Sequence, residues 1–267
     1  MKYFDKKNSR LIQVDQAASP VFWDEKWEKE NVGVYNSQSV APIISITERY
    51  LPSSSLILEG GCGAGGKVAA LTDAGFRVVG VDYAEKTVVR LNQRLPEYDV
   101  RTGDVFSLDF SDGFFDGYWS FGVIEHFWSG YLGIFHEANR VLREGGYLFL
   151  TFPCMSPVRN LKARLGSYRG WKDGEKEPDG FYQFMLDPFV VAKDLEGSGF
   201  SVIESQVMQL ASGVKQEFPL VWRAFSVLSR VVGRDNILGG RLVENLFAGY
   251  MGHIAVVVAK RTSKFLK

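Results

Sequence analysis

Residues 56–66, LILEGGCGAGG, constrain the fold more than any other part of the chain. A short apolar run stops at Glu59, and Gly60, Gly61, Gly63, Gly65 and Gly66 follow. A second apolar run, RVVGVD, stops at Asp82. A buried strand, a glycine-rich turn and a helix start bring backbone N–H groups close to a ligand, because residues without a Cβ turn left-handed and allow close approach. Gly61, Gly63 and Gly66 also fit G-x-G-x-x-G, a dinucleotide fingerprint. The register argues against a dinucleotide. Glu59 stands between strand and glycines, and a carboxylate there repels a pyrophosphate but attracts an ammonium. Acids at two consecutive strand ends suit a ligand that carries an amine and a ribose.

The rest of the chain supports a sheet with covered faces. Strands are expected at Leu56–Glu59, Arg77–Asp82, Asp99–Gly103, Phe115–Phe121 and Tyr147–Phe152. Helices are expected at Lys67–Ala74, Ala84–Arg94 and Tyr131–Leu142, the second stopped by Leu95-Pro96. Near-continuous apolar strands separated by helices mean a parallel sheet buried on both faces. Residues 1–20 read as a loose polar leader, and 21–50 as helical with Trp23 and Trp27 on one face. After Pro153 the rhythm breaks. Residues 154–186 are rich in glycine and charge, Asp187–Ser198 reads as a helix, Phe200–Gln206 as a strand, 214–249 as mostly helical, and Gly252–Lys260 as a last strand. The expected divisions are 1–51, a ligand-binding core at 52–153, and acceptor-side insertions with terminal strands at 154–267.

Composition narrows the partners. Of 267 residues, 46% are hydrophobic, enough for a packed core. Lys+Arg and Asp+Glu are both 31, so no basic excess points to nucleic acid. Cys62 and Cys154 cannot form a disulfide framework and suit a reducing compartment. The first residues lack an apolar signal core, and no apolar run reaches the roughly 18 residues of a membrane span. A cytoplasmic protein with at most peripheral membrane contact is expected, and no metal site.

At this point the chain resembles the class I S-adenosylmethionine-dependent methyltransferases, especially small-molecule members. Glu59 followed by Gly61-Cys62-Gly63-Ala64-Gly65 matches their acid and G-x-G-x-G after strand 1. FDGYWSFGVIEHF and EANRVLREGGYLFLTFP resemble the segments around strands 4 and 5. The resemblance implies a three-layer αβα sandwich with a Rossmann-like seven-stranded sheet, order 3-2-1-4-5-7-6, the last strand antiparallel, with helical cap insertions. It implies S-adenosyl-L-methionine as cofactor. Glu59, Gly60, Gly61, Cys62, Gly63 and Gly65 would hold its methionine end, Asp82 its ribose, and Asp104 with Val105 its adenine, with Asp109 and Asp112 as nearby alternatives to Asp104; Tyr83 would also bind the cofactor. Phe121 would line the site, and Trp23, Trp27 or Tyr35 would cover the sulfonium.

His126, in the Glu125-His126 pair after strand 4, is the candidate catalytic base, since its ordinary pKa lies near neutrality. It competes with a packing role. Cys62 reads as a small filler rather than a thiol nucleophile, and His136 and His253 as structural. The basic run Arg159, Lys162, Arg164, Arg169 and Lys172 reads as a solvated face or as a site for an anionic, lipid- or glycan-linked acceptor. The stripe Val221, Phe225, Leu228 and Val232 reads as a packed helix or a membrane-surface helix. Two other functions stay open. One is an NAD(P)-dependent oxidoreductase, for which no Tyr-x-x-x-Lys signature is present; the other is a non-catalytic adenosyl-binding scaffold.

Overall fold

The computed structural model describes residues 1–223 and 247–262. Phe225, Leu228 and Val232 of the proposed stripe lie outside them. The chain begins with β1 (Lys2–Asp5), β2 (Arg10–Val14), α1 (Pro20–Glu28) and α2 (Ser37–Tyr50). The alternating part follows as β3 (Leu56–Gly60), α3 (Gly66–Asp73), β4 (Arg77–Asp82), α4 (Glu85–Arg94), β5 (Asp99–Thr102) and β6 (Phe115–Phe121). A 3-10 turn at Ile124–His126 leads to α5 (Leu132–Val141) and β7 (Leu142–Pro153). The last part holds α6 (Pro157–Arg164), β8 (Arg169–Gly170), β9 (Phe181–Met185), α7 (Pro188–Gly197), β10 (Phe200–Met208), α8 (Leu210–Glu217) and β11 (Ile254–Arg261).

Seven strands form one sheet in the order β10-β11-β7-β6-β3-β4-β5. β3, β4, β5, β6 and β7 pair in parallel, and β11 runs antiparallel between β7 and β10. This is the 3-2-1-4-5-7-6 order, with the antiparallel strand where it was expected. Two apolar clusters cover the sheet: one around Leu58, Tyr118, Phe135 and Leu150, the other around Ile57, Leu71, Trp119 and Phe149. Adjacent residues of one strand, Ile57 and Leu58, serve opposite layers, as side-chain alternation along a strand requires.

Residues 1–20 correct the expectation of a loose leader. β1 and β2 form a hairpin, β2 pairs antiparallel with β9, and β1 pairs with β8, giving a second sheet of order β8-β1-β2-β9. Leu11 and Ile12 are fully buried in it. A two-stranded hairpin is marginal in water, and the strand that completes this one lies some 170 residues further on. Residues 154–186, rich in glycine and charge, supply one helix, α6, to the expected helical cap, because FYQFM is recruited as the edge partner of β2.

Candidate functional site

The C-terminal ends of β3, β4, β6 and β7 open into a cavity of about 630 Å³, closed above by α1 and at the side by β9. That volume lies within the roughly 300–1,000 Å³ of small-molecule sites. It is placed where parallel sheets of this type bind ligands, outside the carboxyl ends of the strands.

The glycine loop forms its floor. Gly60 closes β3, Gly65 is the N-cap of α3, and between them the loop is tied to β4. The N–H groups of Gly61 and Cys62 donate to Val81 O at 2.7 and 3.1 Å. Gly63 N–H donates to Asp82 Oδ2 at 2.7 Å, and Ala84 N–H to Oδ1 at 2.9 Å. Gly61 and Gly63 have φ of +78° and +52°; a Cβ would stand 2.4 Å from Val123 at the first and 2.7 Å from the Trp27 indole at the second. No other residue type fits without displacing the wall or the lid.

Asp82 is almost wholly buried, and burial pushes its carboxyl up while the two N–H donors pull it down. Tyr83 and Asp104 line the cavity beside it; Val105 is buried, and Asp104 Oδ1 accepts the Phe106 N–H at 2.9 Å. Burial pushes the Tyr83 hydroxyl up to about 12. Phe121 forms part of the wall, stacked on Trp119 with centroids 4.3 Å apart and with Lys67 Nζ 5.0 Å over its ring. Cys62 is buried, which raises its thiol well above the ordinary range and leaves it an inert filler.

Of the expected cofactor residues, Gly60, Gly63 and Gly65 shape the loop without lining the cavity, and Glu59 and Tyr35 stand off its wall. Glu59 is fully buried behind the glycine loop, neither of its oxygens hydrogen-bonded. Burial raises its carboxyl to about 8 against the opposing charge of Lys67, which does line the cavity. Tyr35 turns away, its hydroxyl donating to Asp73 at 2.7 Å. The lid is α1 instead. Trp23 and Trp27 stack at 5.5 Å and both face the cavity, with Lys26 Nζ 4.4 Å over Trp23. α1 is clasped to α4. Asp24 accepts from the Thr87 N–H and hydroxyl at 3.0 and 2.8 Å, and Arg90 donates to Glu28 O at 2.9 Å and to Trp27 O.

Across the cavity, on the β6 side, lie Glu125, His126 and Tyr182. His126 Nδ1 is 2.7 Å from Tyr182 O, so this nitrogen carries the proton and donates it. Its Nε2 lies 4.0 Å from Glu125 Oε1. Burial lowers the imidazole to about 4 and raises the Glu125 carboxyl to about 8. Glu125 Oε2 is buried without a hydrogen-bond partner. The pair therefore rests as a neutral imidazole beside a carboxyl poised to ionise near neutral pH. Among the described residues no group of His, Cys, Asp and Glu could hold a metal ion.

The basic run divides. Arg159 is fully buried, donating to Glu217 Oε1 at 3.0 Å and to Cys154 O at 2.6 Å, with Nη2 2.9 Å from His253 Nδ1. Lys162 and Lys2 also donate to Glu217, at 2.8 and 2.9 Å. Burial alone would raise the Glu217 carboxyl, but these donors hold it well below the ordinary range. Arg164, Arg169 and Lys172 are exposed.

A methyltransferase domain model matches residues 58–150. A probable S-adenosylmethionine-dependent methyltransferase of Mycolicibacterium smegmatis is 38% identical over 97 residues, 36% of this chain and 37% of that protein. Residues 58–150 therefore carry a methyltransferase domain. The chain matches little more than a third of that curated relative's length. Solved structures share the whole architecture at low identity. The 1,6-didemethyltoxoflavin-N1-methyltransferase of Burkholderia thailandensis aligns over 98% of both chains with a TM-score of 0.57 and 18% identity. The cyclase SpnF aligns over 94% of this chain and 98% of its own with a TM-score of 0.59 and 16% identity. These likenesses are of fold, and the cyclase illustrates that the fold hosts more than one chemistry.

Within the methyltransferase domain lie Glu59, the glycines, Asp82, Asp104, Phe121 and the Glu125-His126 pair. The lid and the remaining wall lie outside it. Lys26, Tyr182, Gln183 and His253 also line the cavity, as does Lys67 within the domain, and no local sequence pattern marks them for it. Tyr182 and Gln183 left one trace, the aromatic concentration DGFYQFML, but their place beside His126 depends on β9 joining β2.

Proposed function

We propose that this chain binds S-adenosyl-L-methionine along the glycine loop and methylates a small-molecule, lipid- or glycan-linked acceptor held between Trp23, His126 and Tyr182. The observation that carries the reading is the grouping of the loop with Asp82 and Asp104 on the β4–β5 flank, facing Glu125 and His126 across one cavity. The residues fit the cofactor. Each Asp82 oxygen accepts one N–H and keeps a lone pair for a ribose hydroxyl. Asp104 is exposed at the cavity and suits an adenine amino group. The buried Glu59 has neither oxygen hydrogen-bonded, and a positive charge such as an ammonium would satisfy it. Lys67 suits the carboxylate of the methionine end.

When bound, the cofactor supplies a methyl group on a sulfonium whose leaving group is a neutral thioether. The protein's work is then placement, which in well-oriented systems supplies roughly 7–11 kcal/mol. The clasp from α4 holds Trp23 and Trp27 over the loop, where they exclude water and face a cation with their rings. An acceptor O–H or N–H must lose its proton as its lone pair takes the methyl group. The His126 Nε2 lone pair and the Glu125 carboxylate are the groups on the acceptor side able to take that proton, a role worth roughly 10²–10⁴-fold. Glu125, with the higher proton affinity, is the stronger base of the two.

Calorimetry with S-adenosylmethionine, S-adenosylhomocysteine and NAD tests the cofactor. Both adenosyl compounds are expected to bind, and binding of NAD alone would sink the proposal. Methyl-labelled cofactor incubated with cell extract tests transfer. A protein that binds the cofactor but labels nothing would be a scaffold.

A further inference from the structure

The amphipathic α6, PVRNLKAR, exposes apolar side chains that no part of the site uses. Leu161 is 57% exposed and Leu165, just past its end, 72%. Beside them lies the end of α8 and the segment after it, where Leu220 is 77% and Val221 45% exposed. The two stretches touch: Lys162 donates to Glu217 O at 3.0 Å and sits 5.3 Å over the Phe218 ring. Their charges are one-sided. Arg164, Lys215 and Arg223 are exposed, and Lys162 is partly so. Glu217 is the single acid in residues 157–165 and 215–223, and it is buried against Arg159.

We propose that this face docks the protein on an anionic phospholipid bilayer. Leucines and a valine enter the acyl boundary while the arginines and lysines meet headgroup phosphates, the division of labour of interfacial amphipathic helices. The charge complementarity selects the occupant. Within residues 157–165 and 215–223 the exposed bases Arg164 and Lys215 have no exposed carboxylate among them, and such bases gain at an anionic surface, about 1 kcal/mol or roughly fivefold in partition for each residue. Among the described residues no helix is long and apolar enough to cross a membrane, so contact through this face is peripheral.

The place of the face gives the docking a purpose. α6 starts four residues after Pro153, which lines the cavity, and its Arg159 is hydrogen-bonded to His253, which lines it too. A bilayer on α6 therefore lies near the Pro153 and His253 wall of the cavity. This last step rests on the proposed methyl transfer and favours a lipid-borne acceptor; the docking itself does not rest on it.

Flotation of the full chain with phosphatidylcholine vesicles, with and without phosphatidylserine, tests the proposal. Binding is expected to the phosphatidylserine vesicles, at least tenfold stronger than to phosphatidylcholine alone, reversed by high salt and not competed by soluble glycerophosphoserine. Arg164→Glu with Lys215→Glu should weaken it at least roughly 25-fold, from two such contributions. Leu161→Asp with Leu165→Asp should abolish it. Both pairs are exposed, so S-adenosylhomocysteine affinity should stay unchanged. No binding to either vesicle, equal binding to both, or full binding by both variants would overturn the proposal. Vesicle binding without S-adenosylhomocysteine binding would leave it standing and sink the proposed function instead.

Discussion

The Gly63 N–H donates to Asp82 Oδ2 at 2.7 Å, which makes the glycine loop and the end of β4 one unit. The carboxylate proposed to hold a ribose is also the anchor that shapes the floor beneath it. Floor and ligand contact therefore cannot be changed separately.

Asp82→Asn follows from that. One amide oxygen replaces two carboxylate oxygens, so either Gly63 or Ala84 loses its acceptor. Hydrogen bonds to charged groups contribute roughly 1.5–3 kcal/mol. S-adenosylhomocysteine affinity, measured by calorimetry, should fall at least about tenfold. Unchanged affinity would refute the assigned contact.

Gly63→Ala and Gly75→Ala form a matched pair. Both positions have positive φ, +52° and +91°, and each substitution should cost about 1–2 kcal/mol of stability. Only at Gly63 does the new Cβ meet the lid, 2.7 Å from Trp27; at Gly75 nothing lies within 4 Å. Denaturant melts should show both losses. Adenosyl-ligand affinity and the tryptophan emission should change for Gly63→Ala alone.

Glu125 makes stability depend on pH. Its folded carboxyl is raised to about 8 from an ordinary value of 4.5, with burial the largest cause. Its contribution is therefore full below about pH 4.5, falls as the unfolded chain ionises, and is lost by about pH 8. Glu125→Gln removes the loss, so its melting temperature relative to the parent should rise steadily from pH 5 to pH 8. A constant difference would show that the carboxyl is not held neutral. The same variant should flatten the rise of methyl transfer toward pH 8 if Glu125 takes the acceptor's proton.

Glu217→Gln leaves Arg159 as a fully buried cation without its carboxylate partner. Breaking a buried pair from one side costs about 3–5 kcal/mol. Urea unfolding should show a loss of that size. Glu217→Gln combined with Arg159→Met should recover much of it.

The two parts of the molecule differ in how they are written in the chain. The acid–glycine turn, Asp82 and the strand–helix alternation are local patterns. Each apolar run is buried on both faces whatever its neighbours, so its position could be read before its partners were known. Asp82 and Phe121 close their strands, Tyr83, Asp104, Val105 and His126 follow strand ends, and a parallel sheet gathers strand ends on one side. The residues that complete the cavity obey no local rule. Lys26 and the tryptophans reach it because Asp24 caps α4, across 63 residues of chain. Tyr35 follows the same helical stretch yet bonds Asp73, because the chain turns away after α1.

By itself, then, the sequence determined the central sheet, the glycine turn and the acids around it, since strand and turn propensities act over a few residues. Tertiary structure alone decided that residues 1–14 form strands, that Tyr182 stands beside His126, and that Glu59 lies behind the loop instead of on its surface. Those outcomes depend on β2 meeting β9 and on which side chains the packed layers leave room for. Such pairings are settled by the burial of distant segments against one another and leave no local period to read.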